Sequence, residues 1–211
     1  MHKIIFIILL LAAGNSLKAQ YPGYSPVTDI TKFKNDFSDA SRKTISIKSD
    51  FVQEKILSML SEMITSKGKF WFKKESQVRM EYSQPYPYLM ILNKDKVFVK
   101  DGKKVNKVSA RSNKLFGQIN NIMIDCMRGT ALNNTDFKTG VFENKNTFLV
   151  ELIPVTKGLK VLFKSINVIV DRKDYSVVSI AMLELSGDNT LIRFTNKELN
   201  VTIPDELFII K

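Results

Sequence analysis

The chain has 211 residues, a formal net charge of +11, one cysteine and one histidine. A single cysteine excludes an intramolecular disulfide. The histidine is the second residue, so the rest of the chain has no residue for a Ser-His-Asp triad, a Cys-His pair or a histidine-ligated metal. We therefore predict no catalytic residue, no metal and no cofactor, although a hydrolase based on lysine or carboxylate groups stays open as an alternative.

The first 19 residues have the layout of a secretory signal peptide. Lys3 precedes an apolar run from Ile4 to Ala13, which is followed by Gly14-Asn15 and then by the small residue Ala19. Ten apolar residues are too few to span a bilayer comfortably. We predict cleavage after Ala19 and an exported, soluble protein, with an N-terminal membrane anchor as the alternative.

Residues 20–211 are enough for one domain with a sizeable core. Cleavage would remove Lys3 and Lys18 and lower the net charge from +11 to +9. Because an exported protein is not expected to meet nucleic acid, an anionic membrane surface or an acidic protein patch fits this charge better. Most of the excess lies between Lys94 and Lys114, which is either a docking surface or a hairpin edge that lysines protect from aggregation.

The first elements after the leader follow from residue spacing. Apolar residues three and four positions apart predict a helix that is capped by Thr28 or Asp29 and ends near Lys43. Alternation then predicts a strand from Thr44 to Glu54. The segment from Leu57 to Ile64 fits either a short helix or a strand end with a long turn.

The stretch from Gly68 to Pro85 predicts an antiparallel hairpin with a turn around Lys74 to Gln77. Alternate residues of a strand share a face, which gives each strand an apolar face and places Trp71 on the opposite side. The residues of the apolar faces are Phe70 and Phe72 in the first strand and Val78, Met80 and Tyr82 in the second.

The rest of the chain predicts mostly strands. They are Leu89–Leu92, Val97–Lys100, Val105–Ser109, Phe137–Phe142, Thr147–Ile153, Leu159–Val170, Val177–Leu185, Thr190–Lys197 and Leu207–Ile210. Between them, a second helix is predicted from Ser112 to Gly129, with Cys126 on its apolar face as a buried structural thiol. About ten antiparallel strands and two helices predict a strongly curved sheet with the helices across its concave mouth.

Three motifs, in this order and spacing, resemble the periplasmic outer-membrane lipoprotein carrier (LolA) family. They are Asp50-Phe51-Val52-Gln53, Gly68-Lys69-Phe70-Trp71-Phe72-Lys73-Lys74, and Arg79-Met80-Glu81-Tyr82 with Gln84-Pro85. The resemblance implies a mainly β fold with α, in which an unclosed half-barrel of about ten to eleven strands is covered by a helical lid.

The resemblance also implies a role and partners. Members of this family accept acylated lipoproteins from an inner-membrane lipoprotein-releasing transporter complex, cross the periplasm and deliver them to the outer membrane. We therefore expect a monomeric periplasmic carrier, with an outer-membrane receptor or an anionic membrane surface as a further partner. The alternative is a periplasmic lipid-binding or sensing module that carries another amphiphile on the same fold.

The resemblance further implies which residues form the site, with ordinary core packing as the alternative for each. The expected wall of the acyl-chain cavity is Val78, Met80, Tyr82, Met90 and Leu92, and the expected underside of the lid is Leu115, Ile119, Ile122 and Met123. The family closes its Gly-x-x-Trp-x-Lys strand with an Arg-Pro pair, whose arginine holds the lid through backbone carbonyls. Here the pair is Lys74-Glu75, so the latch is expected to be weaker, moved to Arg79, or absent.

Overall fold

The computed structural model describes residues 21–74, 76–94, 96–102, 104–109 and 122–210, with the backbone alone for 105–109. The predicted signal peptide lies outside the described residues. So does the predicted second helix before residue 122, including Leu115 and Ile119.

Twelve strands form one antiparallel sheet in the described residues. They are β1 (Ser25–Pro26), β2 (Ser46–Leu57), β3 (Glu62–Lys73), β4 (Gln77–Gln84), β5 (Tyr88–Asn93), β6 (Lys96–Asp101), β7 (Lys104–Ser109), β8 (Phe137–Glu143), β9 (Thr147–Pro154), β10 (Phe163–Asp171), β11 (Val177–Glu184) and β12 (Asn189–Leu199). Their order is β1-β8-β9-β10-β11-β12-β2-β3-β4-β5-β6-β7. The described edge strands β1 and β7 do not pair with each other, so the sheet is an unclosed half-barrel, as predicted.

Helices cover one face of this sheet, which we call the inner face. Helix α1 (Ile30–Lys43) begins after Asp29, whose carboxylate accepts a hydrogen bond from the backbone N–H of Lys32 at 2.8 Å. This confirms the predicted first helix. Helix α2 (residues 122–128) is the described end of the predicted second helix, and α3 (Lys157–Lys160) is a single turn. No described helix is long and apolar enough to cross a membrane.

The inner face is built from alternating large side chains. Phe70 and Phe72 of β3 are buried on it, and Phe70 lies 5.0 Å from Phe194 of β12 between ring centroids. Phe33 of α1 packs at 4.5 Å from Phe148 of β9. Helix α1 and strands β3, β9 and β12 therefore share one hydrophobic core.

The opposite face, here the outer face, is covered over β3 to β6 by the C-terminal segment, residues 200–210. Phe208 is fully buried in a second apolar cluster with Ile91 and Phe98, against which Trp71 packs. The Arg79 guanidinium donates to the Leu207 carbonyl at 3.1 Å. Trp71 thus lies opposite Phe70 and Phe72, as strand alternation predicts.

The predicted strand at Leu207–Ile210 is wrong, because Asp205–Phe208 is a turn of 3₁₀ helix. Backbone carbonyls of this segment accept hydrogen bonds from side chains of the sheet. For example, the Asn93 side-chain amide donates to the Phe208 carbonyl at 3.1 Å. The predicted strand from Leu159 begins too early, since Lys157–Lys160 is helical and β10 starts at Phe163.

The two hairpin turns differ in outcome. The short helix considered for Leu57 to Ile64 is wrong, because β2 and β3 pair as far as Leu57 and Glu62. The turn between β6 and β7 lies where the strands predicted at Val97–Lys100 and Val105–Ser109 place it, with Asp101 paired to Lys104 and Gly102 at a φ of +54°.

We expect Phe208→Ala to lower the free energy of unfolding by about 3–5 kcal/mol, since it empties the second apolar cluster. Urea denaturation measures this. The matched control is Ile209→Ala, whose side chain is half exposed and should change stability by less than about 0.5 kcal/mol. Equal effects of the two substitutions would contradict the packing of this segment on the outer face.

Candidate functional site

An apolar cavity of about 590 Å³ lies between the inner face of the sheet and α2. This volume falls within the range of roughly 300–1,000 Å³ of small-molecule sites in proteins. Its apolar lining includes Met80, Met90, Met123, Phe163, Met182 and Ile192. Polar residues at its edge include Gln53, Lys55, Asp101 and Glu184.

Of the five predicted wall residues, three line this cavity: Met80, Tyr82 and Met90. In the register of β4 and β5, Met80 is opposite Met90 and Tyr82 is opposite Tyr88. Successive pairs on one face are about 7 Å apart along the strands. The two strands therefore contribute a continuous wall that ends at the tyrosine pair.

Val78 and Leu92 do not line the cavity. They form the next pair of the same ladder and are buried in the main core. Their side chains share the inner face, as predicted, but lie where α1 and α2 already cover the sheet. For these two residues the structure favours ordinary core packing, the alternative stated above.

Of the two described residues of the predicted lid underside, one lines the cavity and the other does not. Met123 of α2 lines the cavity from the side opposite to the sheet. Ile122 is buried and faces a smaller, mostly polar pocket of about 300 Å³ near Asp125 and Arg128.

Strands β10, β11 and β12, which precede β2 in the sheet order, supply inner-face residues that sequence reasoning missed. Phe163 of β10, Met182 of β11 and Ile192 of β12 line the cavity. Alternation along each strand could have placed them on one face. Their position beside the β4 wall follows only from the pairing of β12 with β2.

The buried part of the cavity lining consists mainly of flexible apolar side chains. Methionine is unbranched and flexible, so four methionines can repack around occupants of different shape. The Tyr82 hydroxyl donates to the Gln53 side-chain oxygen at 3.0 Å. Burial raises the pKa of Tyr82 well above its ordinary value and also raises the pKa of Tyr88, with a smaller contribution from Asp101. Both phenols therefore stay neutral at physiological pH.

Charged and titratable groups are few in the cavity. Its charged residues include Lys55 and Glu184, which form an ion pair with each other at 3.4 Å. Cys126 is buried outside the cavity, and burial raises the pKa of its thiol to about 12, which leaves almost no thiolate near neutral pH. Among the described residues, no group of three or more His, Cys, Asp or Glu side chains could hold a metal ion.

The turn between β3 and β4 is bonded to both helices of the lid. The Lys74 ammonium donates to the Arg42 carbonyl in the last turn of α1 at 2.9 Å, where helix carbonyls lack partners within the helix. From α2, the Arg128 guanidinium donates to the Ser76 hydroxyl at 2.8 Å. Sequence reasoning missed Arg128, because the position of α2 over this turn is a tertiary feature.

Arg79, the other candidate for the latch, lies on the outer face. Its guanidinium donates to Leu207 and forms an ion pair with Glu81 at 2.7 Å. The interpretation that the latch moved to Arg79 does not fit this position, because alternation along β4 points the side chain away from α1 and α2.

Comparison with solved structures shows a shared fold. The complex structure of MucA/MucB from Pseudomonas aeruginosa matches with a TM-score of 0.51 and 11% identity, over 85% of this chain and 60% of that chain. An uncharacterized conserved protein from Thermus thermophilus matches with a TM-score of 0.50 and 7% identity, over 85% of this chain and 93% of that chain. This chain thus spans less than two thirds of the Pseudomonas chain.

Comparison of sequences identifies the family. No curated protein matches the sequence significantly. The family model described as outer membrane lipoprotein carrier protein LolA matches residues 42–211, which includes the motifs at Asp50 and Gly68 and the strands that line the cavity. The chain therefore belongs to the LolA outer membrane lipoprotein carrier family.

Proposed function

We propose that this protein is a periplasmic carrier that binds the acyl chains of lipoproteins in the methionine-lined cavity and moves them from the inner to the outer membrane. The observation that carries the proposal is a mainly apolar cavity of about 590 Å³, left open under a lid, in a chain of this family. The signal peptide would direct export and be cleaved near Ala19.

The free energy of hydrating an acyl chain explains why a carrier is needed. Exposing a chain to water costs about 0.8 kcal/mol per CH₂, hence on the order of 12 kcal/mol for a ~16-carbon chain. Spontaneous transfer through water is therefore very slow. The flexible lining of Met80, Met90, Met123 and Met182 suits acyl chains of several lengths.

The proposed partners follow from the direction of transfer. An inner-membrane lipoprotein-releasing transporter complex would load the cavity, and an outer-membrane receptor or an anionic membrane surface would accept the cargo. A net charge of +9 after cleavage favours a negatively charged partner. We propose that the protein acts as a monomer.

A second candidate is a periplasmic lipid-binding or sensing module. The solved MucA/MucB complex is a case in which a protein of similar fold is found with a protein partner. In this alternative the same cavity would hold a different amphiphile, and a bound protein would respond to it.

We expect Met80→Glu to weaken binding of a fluorescent triacylated lipopeptide by at least about tenfold, because it places a carboxylate in the apolar wall. Fluorescence titration measures the loss, and circular dichroism checks that the fold is retained. Met80→Leu, which keeps the wall apolar, is the control. Ile64→Glu changes a less buried part of the same cavity and keeps the test valid if Met80→Glu does not fold. Full binding by Ile64→Glu and Met80→Glu would refute the cavity.

We propose that Lys74 and Arg128 together form the latch of the lid. Replacing both by glutamine removes two charged hydrogen bonds, so we expect lipopeptide release to become about fivefold faster. Stopped-flow fluorescence measures the rate, and hydrogen exchange in α1 and α2 should increase. Arg79→Gln, on the outer face, is the control and should leave both unchanged. Wild-type release by the double variant would show that the latch lies elsewhere.

A further inference from the structure

The β2–β3 hairpin projects beyond the neighbouring strand β4. Strand β3 pairs with β2 as far as Glu62, but its pairing with β4 stops at Lys67, opposite Gln84. The five residues from 62 to 66 therefore extend about 17 Å past the end of β4 at the usual rise of a strand.

The end of this hairpin is apolar and exposed. Met59 at the turn is 91% exposed, Leu60 is 68% exposed and Met63 is 59% exposed. Ile56, on the facing strand, is also exposed. We call these four residues the apolar tip. Single exposed apolar residues are common, but four large ones at the end of one projecting hairpin indicate an interaction surface.

The hairpin turn is held on one side by the turn between β11 and β12. The backbone N–H of Ser58 donates to the Asp188 carboxylate at 2.9 Å, and the Ser58 hydroxyl donates to the Ser186 carbonyl at 3.2 Å. Lys55 and Glu184 add an ion pair. The apolar tip is thus presented on a braced support, while its own side chains stay exposed to water.

The hairpin that carries the apolar tip also lines the cavity. Ile64 and Ser66 of β3 line it together with Met80, and Ile64 is 38% exposed, so the cavity opens to solvent beside the hairpin. We call this opening the mouth of the cavity. Alternation along β3 turns Met63, and its partner Ile56 on β2, to the outer face, so the tip lies next to the mouth and not inside it.

Lysines lie at the same end of the sheet as the tip. Phe163 is opposite Glu184 in the sheet, so Lys157, Lys160 and Lys164 lie at the end that carries the hairpin. None of these three lysines has an ion pair within the described residues, whereas Glu184 is paired with Lys55. Glu62 is the one carboxylate of the hairpin turn, Ser58–Glu62, while the Asp188 carboxylate beside it accepts hydrogen bonds from Ser58.

We propose that the apolar tip inserts into the surface of an anionic bilayer and places the mouth of the cavity against the membrane. A convex, highly exposed tip fits a deformable lipid phase, and the lysines at this end of the sheet would meet anionic headgroups. This inference extends the proposed function. It rests on that function only for the statement that acylated protein passes between the membrane and the cavity.

The test is flotation of the purified exported protein with vesicles of phosphatidylethanolamine and phosphatidylglycerol. We expect Met59→Asp/Leu60→Asp to lower vesicle binding by about tenfold or more. The matched control is Ile45→Asp/Ile209→Asp, which changes two apolar residues that are 54% and 50% exposed and lie away from the hairpin. The control should bind as the wild type does.

A second pair of measurements separates docking from cargo binding. The hairpin variant should load detergent-solubilised lipopeptide normally, whereas Met80→Glu should lose loading and keep vesicle binding. Lys157→Gln/Lys160→Gln should lower binding to anionic vesicles about threefold, given the contribution of each lysine at such surfaces.

Two outcomes would overturn the docking proposal. One is wild-type vesicle binding by the hairpin variant. The other is a wild-type protein that ignores vesicles and uses the hairpin only to bind a protein partner. A wild-type protein that binds vesicles through the hairpin but takes no lipopeptide would support docking and instead refute the proposed function.

Discussion

The cavity exists because the helices cover only part of the inner face of an open sheet. A closed barrel buries its interior with its own strands, but this sheet has two separate edges among the described residues and needs other elements to cover it. Helix α1 covers one part through Phe33 and Phe37, and α2 covers another. The part beside Met80 and Met90 is roofed but not filled, and this unfilled part is the cavity.

The C-terminal segment makes this arrangement possible by covering the outer face. Trp71 packs with the cluster around Phe208, while Phe70 on the same strand points into the core. At its centre, β3 is therefore buried in the main core on one face and covered by the C-terminal segment on the other. The lid, in contrast, is bonded to the β3–β4 turn by Lys74 and Arg128, and two surface bonds can break at little energetic cost.

Local patterns were sufficient for some of these features. The opposite faces of Phe70 and Trp71 follow from the period of a strand, and the start of α1 follows from Thr28 and Asp29, of which the structure shows Asp29 to be the cap. The residues around the cavity did not follow in full, because membership depends on strand register and on how far each helix reaches. Val78 has the same face as Met80 but is covered, whereas Met182 reaches the cavity from a strand distant in sequence.

Native mass spectrometry of the protein purified from the periplasm shows directly whether the cavity carries acylated protein. A carrier gives complexes whose extra mass matches lipoproteins and is released when the acyl chains are removed enzymatically. A protein that carries only free lipid, or that is empty under conditions in which lipoproteins are exported, would contradict the carrier function.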